Sequence, residues 1–407
     1  MCDFRARMWQ VAAEGVVPLP PELVQFLRAQ PPRSTSRSSD WHFIDAMVDV
    51  GVWNDCRDTL AAILREIHPS DDESYRNWCS HKLGNAALHG SCGAAQALLQ
   101  AKADVDAACD FPQSCFISAV ACAAEKGYAD VVSLLIEARA DVVSADHRYR
   151  TPLSYAAAQG QASTLQLLLS AKAPVDGAGG GDSPLRHAVR HGSTSCVTRL
   201  LEANADVNVS PCFGHTPLGE AAHFGHADII GMLLEAKADA THADSDGRTC
   251  LFVAAEKGRT ACVQVLVAAK ADVHVLDNRG RSPAEYAGKG GYVDVVSALA
   301  GAKADVARGS TACLFYAARE GLSCLVAGLV QAKASVRGCD DSGHTAIYSA
   351  ARNGHKFTVR QLVLAKADID ELDRDGCTAV VKAARESHKS TVALLLEAKA
   401  TPHILQK

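Results

Sequence analysis

A four-residue phrase, Ala-Lys-Ala-Asp, recurs along this chain at a nearly constant interval. It begins at positions 101, 236, 269, 302 and 365, and close variants begin at positions 138, 171, 203, 332 and 398. Successive copies lie 37, 33, 32, 33, 33, 33, 30, 33 and 33 residues apart. A fixed period of this length is typical of stacked supersecondary units that bury their apolar faces against their neighbours. The chain of 407 residues is therefore predicted to be a solenoid rather than a set of separate globular cores.

Each unit has the local signals of two helices. Ser or Thr followed by Pro, as in Thr151-Pro152 and Thr216-Pro217, predicts a helix start, because the hydroxyl accepts a free backbone N–H and proline has none to leave unpaired. An alanine five residues later lets helices approach closely. A glycine nine residues after the start, replaced by Ser387 in the last unit, permits a left-handed turn. The alanines are Ala86, Ala123, Ala156, Ala188, Ala221, Ala254, Ala287, Ala317, Ala350 and Ala383. A second apolar helix then leads to the repeated phrase, so the fold is predicted to be all-α.

These features resemble the ankyrin-repeat family. The stretches Gly214–Asp239, Asp277–Asp305 and Asp340–Asp368 are similar to single ankyrin repeats, and about ten such repeats cover residues 76–400. The resemblance implies an ankyrin-repeat solenoid of helix-turn-helix units joined by hairpin-like loops, forming one domain at 76–407. It also implies a non-enzymatic scaffold that binds a protein partner on its concave face of loops and inner helices.

The repeated lysine departs from the family pattern, which usually has glycine at that position. A left-handed lysine costs about 1 kcal/mol relative to glycine. A positive charge at the end of a helix recovers about 0.3–1 kcal/mol through the helix dipole. Lys237 lies between the acidic residues Glu235 and Asp239. We therefore interpret the lysines as solvated helix ends rather than as a charged ladder that binds the partner.

Composition and motifs exclude several classes of protein. The net charge of −5 and pI near 6.3 argue against a nucleic-acid binder. No apolar run is long enough to span a membrane, and the start lacks a signal peptide, so we expect a cytoplasmic or nuclear protein. The fifteen cysteines contain no Cys-x-x-Cys pair and are expected to be free thiols. His187 and His191 share a helix face but lack a third ligand, so an exposed binding role is favoured over a metal site. We expect no catalytic residues and no cofactor.

Residues 1–75 differ from the repeats. All four tryptophans lie before residue 81, and 31–40 is predicted to be a linker or loop. The simplest role for this segment is a helical cap that covers the first repeat. The alternative rests on Pro18–Leu27, which resembles the opening of an F-box or part of a SOCS box, although the rest of neither motif follows. That resemblance implies an adaptor that recruits substrates to a ubiquitin ligase.

The resemblance also implies where a partner binds, since ankyrin repeats usually contact partners through the loop tips and the exposed end of the first helix. The implied contact residues are Arg148, Arg150, Arg190, His191, Phe213, His215, His223, Phe224, Arg248, Lys257, Arg279, Arg281, Lys289, Arg319, Arg352 and Arg385. Asn208 matches the setting in which asparagines of this family are hydroxylated.

Charge indicates the chemistry of the partner. With Arg374, this predicted face has twelve basic residues against six acids, although the whole chain is acidic. The six acids are Asp246, Glu256, Glu320, Asp341, Asp375 and Glu386. A surface with excess positive charge attracts oppositely charged partners. We therefore predict that the partner supplies an acidic protein segment.

Overall fold

The structure is a computed structural model that describes part of the chain. The described residues are Arg57, Leu60, Ala61, Leu64, 73–111, 114–179, 182–210, 216–302, 306–331, 334–339, 343–373 and 376–402. The predicted linker 31–40, the adaptor-like stretch 18–27, and the contact residues Phe213 and His215 lie outside them. Four residues before position 73 are described, and all are helical. Of these four residues, Leu60 and Leu64 are buried.

The chain divides into two compact units, Met1–Asp206 and Val207–Lys407. From residue 73 onward, the described part of the first unit has eight helices and one hairpin. They are α1 (Glu73–His89), α2 (Cys92–Gln100), β1 (Ala108–Phe111), β2 (Ser114–Ser118), α3 (Ala119–Lys126), α4 (Ala129–Glu137), α5 (Pro152–Ala158), α6 (Ala162–Ser170), α7 (Pro184–His191) and α8 (Thr194–Glu202). The first helices α1, α3, α5 and α7 pack in sequence order, as do the second helices α2, α4, α6 and α8.

The second unit has twelve described helices. They are α9 (Pro217–Phe224), α10 (Ala227–Glu235), α11 (Cys250–Glu256), α12 (Thr260–Ala268), α13 (Pro283–Gly290), α14 (Val293–Gly301), α15 (Val306–Arg319), α16 (Ser323–Gln331), α17 (Ala346–Arg352), α18 (Lys356–Leu364), α19 (Ala379–Arg385) and α20 (Lys389–Glu397). Odd-numbered helices again pack on odd-numbered ones, and even-numbered helices on even-numbered ones. Each unit is therefore a two-layered stack of helix pairs, which confirms the predicted helical repeats.

The local signals act as the sequence predicts. The hydroxyls of Thr151, Ser183, Thr216 and Ser282 each accept the backbone N–H three residues ahead, at 3.2–3.3 Å. All ten predicted alanines are 0% exposed, so they form the seam along which the first helices pack. The predicted turn glycines have φ between 68° and 92°. Two reasons exclude a side chain at Gly354. Its φ of 74° is left-handed, and a Cβ atom there would lie 2.6 Å from the ring of His388.

The structure also explains the repeated phrase. Lys237 has φ of 66°, is exposed, and ends α10, while Ala238 behind it is buried and donates its N–H to Leu233 O at 2.9 Å. The next residue, Asp239, accepts the N–H of Thr241 at 2.8 Å and so fixes the following turn. Six lysines of the phrase have φ between 60° and 66°. The phrase is therefore a helix stop and a turn, in agreement with the interpretation as a solvated helix end.

Two features differ from the prediction. The hairpin of β1 and β2 occupies the longest interval between repeats, where the sequence predicts only a loop, and pairs Ala108 with Ser118 and Cys109 with Ile117. In addition, α1 and α15 begin several residues before the positions expected from the repeat, which are His81 and Ala312. Neither position has Ser or Thr, so no hydroxyl caps a helix start there. Among the described helices, none is long and apolar enough to cross a membrane.

Candidate protein-binding site

The loop before α5 holds two of the predicted contact residues, Arg148 and Arg150, around one buried aspartate. Asp146 Oδ1 accepts the backbone N–H groups of both arginines at 2.8 Å. The Arg150 Nε and Nη2 atoms each lie 3.1 Å from Asp146 Oδ2. The Tyr155 hydroxyl donates to the same oxygen at 2.7 Å, and the Arg150 guanidinium lies 4.5 Å from the centre of the Tyr155 ring. Asp146 therefore holds both the turn and the Arg150 side chain, while the Arg148 side chain is exposed.

The loop before α13 repeats this arrangement. Asp277 Oδ1 accepts the backbone N–H groups of Arg279 and Arg281 at 2.9 and 2.8 Å. Asp277 Oδ2 lies 3.1 Å from Arg281 Nε, 3.0 Å from Arg281 Nη2 and 3.1 Å from the Tyr286 hydroxyl. The Arg281 guanidinium lies 4.4 Å from the centre of the Tyr286 ring. Arg279 is the exposed arginine of this loop.

Arg248, in the loop before α11, lies close to three carboxylates. Its guanidinium lies 2.9 Å from Asp244, 3.2 Å from Asp246 and 3.2 Å from Glu256. Burial alone would raise the pKa of Asp244, but hydrogen bonds from the backbone and side chain of Arg248 outweigh it and lower the pKa. Burial likewise opposes ionisation of Asp277 and Asp146, but hydrogen bonds lower both pKa values: from the backbone and side chain of Arg281 for Asp277, and from the Arg150 backbone and the Tyr155 hydroxyl for Asp146. Each of these ion pairs is therefore fully charged at neutral pH.

These contacts change the charge of the predicted face. Arg190 pairs with Asp182 at 3.2 Å, and Lys289 pairs with Glu285 at 3.0 Å. Five acids that pair with predicted contact residues are absent from the sequence-based count of six acids. They are Asp146, Asp182, Asp244, Asp277 and Glu285. Adding them, together with Arg186, which also pairs with Asp182, reduces the excess of six positive charges to two. Much of the predicted positive charge is therefore neutralised within the chain.

A cleft between α15 and α17 keeps exposed positive charge. It has a volume of about 380 Å³ and is lined by Arg319, His344, Tyr348, Ser349, Arg352 and Asn353. His344 directly precedes the N-cap residue of α17, the place that Arg150, Arg248 and Arg281 have in their own loops. Its ring stacks on the Tyr348 ring, with centres 4.6 Å apart and planes 5° from parallel. Two rings and two arginines thus share this one cleft.

The two arginines of the cleft differ in their contacts. The Arg319 side chain is 61% exposed and reaches Glu320 at 3.0 Å. Arg352 is exposed at the end of α17, and its guanidinium pairs with no carboxylate among the described residues. The backbone between them is fixed, because Asn353 Nδ2 donates to Arg319 O at 3.0 Å and the His355 ring contacts the same oxygen at 2.9 Å. The cleft therefore holds an available guanidinium on a rigid support.

Comparison with known proteins identifies the architecture. The family model described as "Ankyrin repeats (3 copies)" matches residues 83–177, 172–244, 236–309 and 314–405. The chain belongs to the ankyrin-repeat family. The human ASB11 ankyrin repeat domain is a similar solved structure, at 25% identity and a TM-score of 0.49, covering 54% of this chain and 96% of that one. No curated protein sequence matches this chain.

Other predicted contact residues of this ankyrin-repeat protein are dispersed. His191 is exposed and lies over the backbone of Gly160. His223 and Phe224 are exposed at the end of α9, with ring centres 5.0 Å apart. Lys257 lies 3.8 Å from Glu256, and Arg385 is exposed at the end of α19. The structure brings Arg319 and Arg352 together at one cleft.

The two histidines of α7 differ in exposure, because His187 is partly buried and His191 is exposed. Burial lowers the pKa of His187 to about 4, and its Nε2 atom is buried without a hydrogen-bond partner among the described residues. The ring is therefore neutral at physiological pH and does not have the exposed role that the sequence predicts. Only His191 is exposed. Within the described residues, no group of three or more His, Cys, Asp or Glu side chains could hold a metal ion.

Asn208 has a structural role between consecutive repeats. Its Oδ1 atom accepts the backbone N–H of Asp239 at 2.9 Å. Asp176 and Asp370 make the corresponding bonds to Asp206 and Thr401. Asn208 is also exposed, as a modifying enzyme would require. Its hydroxylation stays a prediction.

Sequence analysis missed the residues that surround the predicted arginines. His344 and Tyr348 of the cleft were not predicted, and neither were Asp146, Asp244 and Asp277. The aspartates have a signal in the sequence, because each lies four residues before an arginine that itself precedes a helix N-cap. Tyr348 has no comparable signal, since it lies within the apolar pattern of α17.

Proposed function

We propose that this ankyrin-repeat protein binds an acidic segment of a protein partner in the cleft between α15 and α17. Ankyrin repeats are protein–protein interaction modules, and the matched repeats therefore support the general role of a scaffold. The observation that carries the proposal is the available Arg352 guanidinium beside Arg319 and the stacked rings of His344 and Tyr348.

The chemistry of the cleft suits a carboxylate next to an apolar group. A guanidinium presents parallel N–H donors that match the two oxygens of a carboxylate. The face of His344 gives a neighbouring apolar group a flat surface on which to pack. Tyr348 stays protonated at neutral pH, because burial, followed by a hydrogen bond to Asp373, raises the pKa of its hydroxyl. One acidic and one apolar side chain of the partner would therefore bind together.

Rigidity supports the same proposal. Arg319 ends α15 and Arg352 ends α17, and the bonds from Asn353 and His355 tie the two helix ends together. A surface that is already ordered loses little conformational entropy when a partner binds. The guanidinium groups of Arg150 and Arg281 are less available to a partner, because each already forms an ion pair with a carboxylate of this chain.

Charge reversal tests the proposal. We would capture partners from lysate with the native chain, with R319E/R352E and with the control R148E, which reverses an exposed arginine of the first unit. We expect one or more proteins with an acidic segment to be lost from R319E/R352E but kept by R148E. Binding of such a purified partner should weaken as salt rises from about 50 to 300 mM, because salt screens exposed charges. A partner set unchanged by R319E/R352E would refute the proposal.

The adaptor alternative rests on the stretch 18–27, which lies outside the described residues. It stays a prediction from the sequence.

A further inference from the structure

A second surface lies on the outer side of the second unit, on α18. Phe357 and Leu364 are the most exposed of the large apolar side chains described, at 72% and 69%. The buried residues of this helix are Thr358, Val359 and Leu362, and the helix packs against α16, α17 and α20. Phe357 and Leu364 therefore lie on the face that no described helix covers.

The other repeats serve as internal controls for this face. Each second helix has nine residues, so equivalent positions are unambiguous. At the second position, where α18 has Phe357, the other nine helices have Gly, Ala, Ser, Asp or Cys. At the ninth position, where α18 has Leu364, they have Gly, Ala, Ser, Gln or Glu. Stacking of repeats does not require large apolar side chains here, so another role must account for both.

The same face is basic. Arg360 is exposed between Phe357 and Leu364, at a position where no other second helix has a charged residue. Lys356 is exposed at the helix start, and α18 contains no acidic residue. At about 1.5 Å per residue, the two apolar side chains lie about 10 Å apart along the helix, with Arg360 between them. The surface therefore combines two apolar anchors with two positive charges.

We propose that the outer face of α18 binds an amphipathic helix that has an apolar stripe flanked by acidic residues. A helix packed along α18 would present apolar residues at the same seven-residue spacing, and its acids would face Lys356 and Arg360. A second copy of this chain fits less well. Two antiparallel copies of α18 that pair Phe357 with Leu364 would bring Arg360 close to its own counterpart, which is unfavourable.

A library of displayed helical peptides tests this surface. Peptides would be selected on the native chain and counter-selected on F357S/L364E, which installs the residues found at the equivalent positions Ser390 and Glu397 of α20. The neighbouring positions of α16 provide the matched control C324S/Q331E. We expect the enriched peptides to have apolar residues at helical spacing and several acids. Their affinity should fall at least tenfold for F357S/L364E and R360E, and stay unchanged for C324S/Q331E and R319E/R352E.

Several outcomes would overturn the proposal. One is the absence of peptides that distinguish the native chain from F357S/L364E, and another is enrichment of neutral or basic peptides. Self-association that F357S/L364E abolishes in sedimentation would assign the surface to a second copy. Binding to vesicles of anionic lipid that the same variant abolishes would assign it to a membrane. Because R319E/R352E affects the cleft and F357S/L364E affects α18, the two proposals fail independently.

Discussion

Replacing Arg281 by alanine tests whether the loop arginines stabilise the fold rather than bind a partner. The change removes the contacts of Nε and Nη2 with Asp277 Oδ2, at 3.1 and 3.0 Å, and the packing on Tyr286. Arg279 is the matched control, because it lies in the same loop with an exposed side chain. Replacing Arg279 leaves its backbone bond to Asp277 in place.

The structure sets the size of the effect. A hydrogen bond between charged groups contributes about 1.5–3 kcal/mol, and a cation over an aromatic ring adds about 0.5–1 kcal/mol. The Arg281 side chain is 25% exposed, so solvent reduces the first contribution. Asp277 keeps two backbone N–H groups and the Tyr286 hydroxyl, so it is not left without partners. We expect Arg281→Ala to lower the local free energy of unfolding by about 1–3 kcal/mol, and Arg279→Ala by less than about 0.5 kcal/mol.

Native-state hydrogen exchange of the amides in α11 and α13 provides the assay, since repeat proteins do not always unfold in a single step. The difference between the variants should depend on pH. The pKa of Asp277 in the folded protein is below its ordinary value of about 4. The ionised Asp277 carboxylate therefore stabilises the fold above about pH 4, and this stabilisation is lost as the pH falls through the folded pKa. The difference in stability between the native protein and Arg281→Ala should therefore narrow as the pH falls below about 4. Equal effects of the two replacements at pH 7 would refute this assignment.

Three further predictions follow from the repeat architecture. Changing Lys237 and Lys270 to glycine should leave the free energy of unfolding within about 1 kcal/mol and partner binding unaltered, whereas a large loss of affinity would make these lysines a binding site. Asn208→Ala should speed exchange of the Asp239 amide and cost about 0.5–1.5 kcal/mol, while Asn208→Asp keeps the acceptor and should cost less; equal costs would contradict the role of this bond. Removing residues 1–75 should lower the solubility or the melting temperature of the first repeats, and an unchanged monomer would contradict the capping role.

Much of the fold could be predicted from the sequence because its determinants are local and repeated ten times. The buried alanines such as Ala221 and the left-handed glycines such as Gly225 occupy fixed positions relative to each helix start. Prediction failed where a local signal was absent or ambiguous. The expected starts of α1 and α15 lack a Ser or Thr cap, and the hairpin at 108–118 lies in an insertion that the repeat pattern does not constrain.

The candidate site could be predicted only in part, because the repeat register gives the position of a side chain but not its partner. Arg281 and Arg352 are equally basic in the sequence, yet only Arg281 has a carboxylate held against it by a turn. That difference depends on the loop conformation, in which Asp277 must bind two backbone N–H groups before it can bind the guanidinium. A count of charges along a predicted face therefore overstates the charge available to a partner.

Comparing equivalent positions of the repeats distinguishes residues that stabilise every repeat from residues that bind a partner. A feature that recurs, such as the left-handed lysine or the aspartate–arginine pair, contributes to each turn in the same way and cannot select a single place for a partner. Selection requires a repeat that departs from the others. Phe357 and Leu364 make such a departure, because they replace small or polar residues of the other second helices, whereas His344 has an equivalent in His215. Both lie on α18, which directly follows α17, so this departure from the pattern lies next to the helix whose end supplies Arg352 to the cleft.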